Sequence, residues 1–275
     1  TIRPASLELA ASYSATPPVA GVAFNLTATA KNSGNVTTAT YTGTPALTTD
    51  SVTDWTTAAI PGGSLVGSFT AAVAGVASGD VADPFKYHNI GPVTFPNATA
   101  TASPVSDTTY TSVSSDQANG DCIADSYSNV LSSGMYGCNI GSKTLTTDRF
   151  IPDHYEVENV MTTGCAAGNF SYFGQIPASV PTVLLKAMSA DNFQMTRLLD
   201  GYDAAHKPAF TVEAMNGVTS LANPATSLVN LTAPANLWPA VDPGGIYQNI
   251  ENGLVARPAV TAPANPPSYE SFALR

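Results

Sequence analysis

Apolar and polar residues alternate most cleanly just after Gly21, where Phe24, Leu26, Ala28 and Ala30 are apolar and Asn25, Thr27 and Thr29 between them are polar. A period of two marks a half-buried β-strand, whose successive side chains point to opposite faces. Looser runs of the same kind lie at 36–41, 64–72, 91–102, 180–187, 210–214 and 227–231, bounded by Gly, Pro, Asn and Asp. Helical spacing is nearly absent, and 124–131 is the one stretch that predicts a turn or two of helix. The Ser-, Thr- and Asp-rich stretch 103–120 reads as a long surface loop. The expected fold class is therefore all-β, with long loops and little helix.

A short pattern recurs. Residues 26–37 align without gaps on 185–196: Leu26 falls on Leu185, Ala28 on Ala187, Asn32 on Asp191, Val36 on Met195 and Thr37 on Thr196. Strand, polar turn and second strand describe a β-hairpin used twice. Each copy follows a lead-in with Arg and Pro, Arg3-Pro4 in the first and Arg149-Phe150-Ile151-Pro152 in the second. The pattern predicts two tandem immunoglobulin-like β-sandwich modules, 1–147 and 148–275, of a length that suits such sandwiches. The chain starts at Thr1 without Met and stops at Arg275 in what reads as mid-strand, so a mature or excised piece is expected, with the second module truncated.

Composition narrows the function classes. Charged residues are only 11% of the 275, while the hydrophobic share of 44% is ordinary, which is the balance of a folded chain rather than a disordered one. A net charge of -10 repels phosphate backbones and disfavours nucleic acid. The most apolar run, 69–77, is far shorter than the ~18 residues of a membrane span. Cys122, Cys138 and Cys165 lack the spacing of a zinc or redox motif. In a chain that reads as exported, Cys122 and Cys138 are expected to bond and to stabilise a loop-rich segment near 116–141 by roughly 3 kcal/mol. Cys165 is then left as a buried thiol or as the partner of a cysteine elsewhere.

The chemical candidates are sparse. Asp153-His154-Tyr155 sets a carboxylate beside an imidazole, but strand neighbours point to opposite faces, so a structural role is expected. No G-x-S-x-G elbow or comparable nucleophile motif occurs, and no catalytic residues are assigned. Asp116, Asn119, Asp121 and Asp125 are dense enough in oxygen to be weak Ca²⁺ candidates, although their spacing departs from the EF-hand loop. Asp200, Asp203 and His206 are a second weak cation candidate, read first as solvated turn residues. Otherwise no metal and no cofactor is expected. Trp55, Trp238 and Tyr247 are the aromatics that would contact a ligand, by stacking on a sugar, and core packing is the plainer role for each. The sequons at Asn25, Asn35, Asn97, Asn169 and Asn230 are expected by chance in so Thr- and Asn-rich a chain.

Arg149-Phe150-Ile151-Pro152-Asp153-His154-Tyr155 followed by Phe170-Ser171-Tyr172-Phe173-Gly174-Gln175 resembles the signature of the MshQ-like proteins linked to mannose-sensitive haemagglutinin pilus biogenesis. Tyr136-Gly137-Cys138-Asn139-Ile140-Gly141 and the closing Pro267-Ser268-Tyr269-Glu270-Ser271-Phe272-Ala273-Leu274-Arg275 are similar to that pattern too. Members often carry a second cysteine near the position of Cys165, where this chain has Ala166 and Ala167. The resemblance implies an exported bacterial protein, extracellular or on the outer cell surface, with no chemistry to carry over. The function expected is a non-catalytic structural component of a surface appendage or pilus-associated stalk, partnered by other surface or pilus subunits or copies of itself. The alternative is an adhesin module that binds a glycan or a host-surface protein through its loops.

Overall fold

The computed structural model describes residues 3–112, 120–160, 182–195, 212–216, 219–220, 246–250 and 271–274. Over these residues the protein is all-β, with a single 3-10 turn at Thr49–Ser51. Among them no helix is long and apolar enough to cross a membrane. The chain divides into two compact units, Thr1–His154 with Met188–Thr196, and Tyr155–Ala187 with Arg197–Arg275.

Unit 1 carries β1 (Ser6–Ser12), β2 (Asn25–Lys31), β3 (Ala46–Leu47), β4 (Thr53–Asp54), β5 (Leu65–Val66), β6 (Val76–Ser78), β7 (Lys86–Tyr87), β8 (Val93–Phe95), β9 (Val105–Asp107), β10 (Ile140–Gly141) and β11 (Leu145–Thr146). They form small sheets, in the orders β1-β2-β6, β10-β9-β3, β11-β8-β4 and β5-β7. The longest ladder joins β1 and β2 antiparallel, Leu7 opposite Ala30 and Leu9 opposite Ala28. Its alternation is the one legible in the sequence: Leu26, Ala28 and Ala30 are buried while Thr27 and Thr29 are half-buried. Unit 2 contains most of β12 (His154–Val160) and β13 (Thr182–Met188), with β14 (Val212–Asn216), β15 (Thr219–Ser220), β16 (Ile246–Ile250) and β17 (Ser271–Leu274). Its sheets run β12-β13-β16 and β15-β14-β17.

Two- and three-residue strands supply few ladder bonds, so the core of unit 1 has to hold them together. Phe150 is fully buried, with Phe24 at 5.4 Å, Tyr87 at 5.3 Å and Tyr13 at 5.7 Å between ring centroids, each tilted or edge-on. Phe69 and Phe85 extend the cluster at 4.7 Å. Such aromatic pairs add about 0.5–1.5 kcal/mol each beyond the area they bury.

Three expectations are corrected. First, several strands are shorter than the alternation predicts: 91–102 narrows to β8, which Pro92 and Pro96 bracket because neither can donate to a ladder. Residues 36–41 hold only a single bridge, Thr37 to Lys31, and Val36 is exposed. Second, 103–120 is not all surface loop. It opens with β9, where Val105, Ser106 and Asp107 are all buried. The polar side chains are accommodated because they are bonded: Asp107 accepts from Tyr41 Oη at 2.8 Å, and Ser103 Oγ donates to the Val105 carbonyl at 2.7 Å. Third, 124–131 is turn and extended chain, not helix. Asp125 sits at φ 55°, and the Ser126 and Ser128 carbonyls accept from Asn139 and Gly137 rather than from their own segment. The run 227–231 lies outside the described residues.

The recurring hairpin turn is present in both places. Asn32 N–H donates to Val36 and Asn35 to Asn32, with Asn35 at φ 62°. Ser189 N–H likewise donates to Phe193 and Asn192 to Ser189, with Asn192 at φ 63°. Asn32 therefore corresponds to Ser189, two residues from the sequence alignment, a shift that leaves the faces of the strands unchanged.

The second of these turns is fastened within unit 1 by Asp191. Its carboxylate accepts from Ser189 Oγ at 2.7 Å and Lys86 Nζ at 3.2 Å, and lies 3.0 Å from His88 Nε2. His88 is buried, with Nδ1 3.2 Å from the Gly63 carbonyl and its ring 4.4 Å from that of Phe193. Burial alone would raise the Asp191 carboxyl, but the bonds from Ser189, His88 and Lys86 outweigh it and hold the group below its ordinary value. A lowered carboxylate stabilises the fold above its unfolded value and ceases to do so as the pH falls through its folded value. Asp191→Asn is expected to lower the melting temperature at pH 7, and the gap from the parent protein should close as pH falls below ~4; a gap independent of pH would contradict the assignment.

Candidate functional site

Arg3 stands just ahead of β1 and has no carboxylate partner among the described residues. Its guanidinium donates instead to oxygens of the Cys122–Cys138 segment: Nε to the Gly137 carbonyl at 2.6 Å, Nη2 to the Ser128 carbonyl at 3.2 Å and to Asn129 Oδ1 at 3.0 Å. Nη1 donates to the Pro4 carbonyl at 2.8 Å. A planar fork of donors suits this cluster of acceptors as a single ammonium would not. Burial lowers the affinity of Arg3 for its proton, and the neighbouring Tyr110 opposes the change. Asn129 returns a bond, its Nδ2 donating to the Ala5 carbonyl at 2.7 Å.

Cys122 and Cys138 are bonded, with Cα atoms 5.1 Å apart. Beside the bond, Ile123 N–H donates to Tyr136 and Cys138 N–H to Ile123, both at 2.8 Å. Gly137 lies so close to the Ser126 carbonyl that a Cβ would collide with it, so the segment can close only with glycine there. Its tip is a two-residue turn, Ser133 at φ 51° and Gly134 at φ 81°, with Ser132 and Met135 exchanging both backbone bonds. Two positive φ values in succession match the twist of a tight hairpin.

Between the lead-in to β1 and this segment lies a cleft of about 450 Å³. Tyr110 and Tyr136 contribute aromatic surface, and Asp121, Asn129, Asn32 and Thr111 contribute polar groups. Tyr136 is 50% exposed and so available to a ligand. Burial raises the Tyr110 hydroxyl above its ordinary value, the Asp107 charge adds to this and Arg3 opposes it, so the phenol stays neutral and can both donate and accept. Asn32 uses its Oδ1 on the N–H groups of Gly34 and Val36, which leaves its amide nitrogen as the group it offers to the cleft. The lining thus sets amide, hydroxyl and carboxylate groups beside two tyrosines.

The residues singled out in the sequence fall in different places. Trp55 is half-buried and lies against Gly91, where a Cβ would meet the indole, and its Nε1 is buried with no hydrogen-bond partner among the described residues. Tyr247 is in β16 opposite Leu185, with its side chain outside the described residues. Trp238, Cys165, Asp116, Asn119, Asp200, Asp203 and His206 also lie outside them. Asp121 lines the cleft, while Asp125 is exposed in the turn that follows. Among the described residues no three His, Cys, Asp or Glu side chains gather as a metal site. Asp153 and His154 do meet, Oδ2 to Nδ1 at 2.8 Å, contrary to the strand-alternation argument. Asp153 precedes β12 in a bend, where the rule of opposite faces does not hold. The pair is exposed and lines neither the cleft nor the space beside it.

Arg3, Tyr110 and Tyr136 were missed as site residues. One signal pointed to Arg3: it is one of ten basic residues in the whole chain, and it stands beside a proline at a strand start. No family model matches the chain, and no curated protein or solved structure matches it.

Arg3→Lys keeps the charge but loses the fork. It is expected to destabilise the protein by about 2 kcal/mol, the scale of a lost charged hydrogen bond and an exposed acceptor. It should also speed reduction of the Cys122–Cys138 bond by dithiothreitol, followed by mass spectrometry; an unchanged reduction rate would show that Arg3 does not hold the segment.

Proposed function

We propose that unit 1 is a non-catalytic carbohydrate-binding module of an exported surface protein, and that the cleft between Tyr110 and Tyr136 is its binding site. The observation that carries the reading is the pairing of two tyrosines with amide, hydroxyl and carboxylate groups in one cleft beside the disulfide. Sugars present apolar C–H faces and a rim of hydroxyls, and such a lining meets both. The groups that line the cleft suit the holding of a ligand: Arg3 is committed to four oxygens, and the tyrosines, amides and hydroxyls offer stacking and hydrogen bonds.

Export is supported by the disulfide, since such bonds persist in oxidising compartments. The short strands in small sheets with almost no helix are compatible with sandwich-like modules of the immunoglobulin type, as in the MshQ-like proteins the sequence resembles. In that setting the chain is part of an appendage or pilus-associated stalk that displays the cleft, with other surface subunits as its neighbours.

On a glycan array the protein is expected to bind a limited set of oligosaccharides. Tyr136→Ala and Tyr110→Ala should each weaken that binding at least about tenfold, the scale of a tyrosine at the centre of an interface. Trp55→Ala should leave binding at its original strength, once folding is verified. A protein that binds no glycan, or one that depends on Trp55 and not on the tyrosines, would overturn the assignment.

A further inference from the structure

A second cleft, of about 630 Å³, adjoins the first, and Ala5, Asn32, Ser33 and Asn129 line both. The two therefore share a boundary, and a ligand longer than one sugar can occupy both. Their chemistry differs. The first has the tyrosines and Asp121. The second is lined mainly by amides and hydroxyls, Asn35, Asn97 and Ser142 among them, with Tyr127 and Val130 beside them, Lys143 as its cation and no carboxylate in its lining among the described residues. That is notable in a protein of net charge -10.

Lys143 is held in place by a neutral acceptor and pairs with no carboxylate among the described residues. Its Nζ donates to Asn35 Oδ1 at 2.9 Å, an uncharged acceptor, and the backbone N–H of the same residue donates to the Leu7 carbonyl in β1. An ammonium has three protons, so two remain for a ligand. Asn35 in turn is fixed by the Asn32 turn, at φ 62°. A positioned cation surrounded by neutral donors and acceptors is complementary to a carboxylate on a ligand whose remainder is hydroxylated.

We infer that the ligand is an acidic oligosaccharide, bound with a neutral sugar face against Tyr110 and Tyr136 and a uronate carboxylate at Lys143. The inference rests on the carbohydrate reading above and adds the ligand's charge and its direction along the two clefts. An acidic peptide would meet the cation too, but apart from Lys143, Tyr127, Val130 and three alanines the side chains of the lining are amides and hydroxyls, which suit a hydroxylated ligand better than a peptide's apolar side chains.

The test uses tetragalacturonate and its methyl ester, which differ in charge and little in shape, titrated calorimetrically into the whole protein. The acid should bind roughly fivefold more tightly than the ester, the scale of one solvated ion pair, and the difference should shrink as salt is raised. Lys143→Gln should bring acid and ester to the same affinity, with an unchanged melting temperature. Tyr136→Ala should weaken both. Equal affinity of acid and ester, or a preference that survives Lys143→Gln, overturns the acidic ligand while leaving the carbohydrate reading intact. Loss of neither ligand on Tyr136→Ala overturns the carbohydrate reading itself. Binding of an oligoaspartate peptide with no binding of either saccharide overturns both.

Discussion

The cleft depends on one side chain, a guanidinium whose donors are turned to neutral oxygens. Arg3 gathers the carbonyls of Gly137 and Ser128 and the amide oxygen of Asn129, groups that belong to a segment with little core of its own. The disulfide closes that segment on itself, and Arg3 ties it to the strand that leads the β1–β2 ladder. With the Asn129 amide on the Ala5 carbonyl and the Tyr127 N–H on the Ala100 carbonyl, the tie sets Tyr136 and Asn129 relative to Tyr110 and Asn32. Two constraints of different kind, one a covalent bond and one a set of charge-assisted hydrogen bonds, thus give a loop-rich region a defined surface.

The rest of unit 1 obeys a similar economy. Its strands are mostly two or three residues long, and buried polar groups do work that longer ladders would do elsewhere. Asp54 and Asp107 show this at the ends of β4 and β9. Each carboxylate accepts from the N–H and the hydroxyl of the threonine two residues on, Thr56 at 2.9 and 2.5 Å and Thr109 at 2.9 and 2.6 Å. One oxygen of each side chain imitates a backbone turn and stops the strand in the same step. Charge is scarce in this chain, and its charged groups are spent on such local fastenings.

This explains what the sequence could and could not disclose. The β2 alternation was legible because seven residues carry three full periods, whereas a two-residue strand carries no periodicity. The Cys122–Cys138 pairing was legible from loop length and context, and the paired hairpin turns from their polar residues, though two residues out of register. Residues 103–107 misled because Ser and Asp read as surface, while their partners, Tyr41 and Ser142, are distant in the chain. The repeated Val-Thr-Asp-Trp-Thr and Val-Ser-Asp-Thr-Thr at 52–56 and 105–109 was the signal available for those strand ends. The cleft was not legible, since it brings together Arg3, Asn32, Tyr110 and Tyr136 from four separate stretches. Trp55 drew attention as the larger aromatic, yet its environment against Gly91 is that of a packed side chain.

We propose that a sugar lies between Tyr110 and Tyr136. Hydroxyl-radical footprinting of the protein with and without saturating tetragalacturonate tests it directly, because oxidation of each aromatic reports its own exposure. The account predicts protection of Tyr136 and Tyr110 and an unchanged rate at Trp55. Protection at Trp55 with none at the two tyrosines would contradict it.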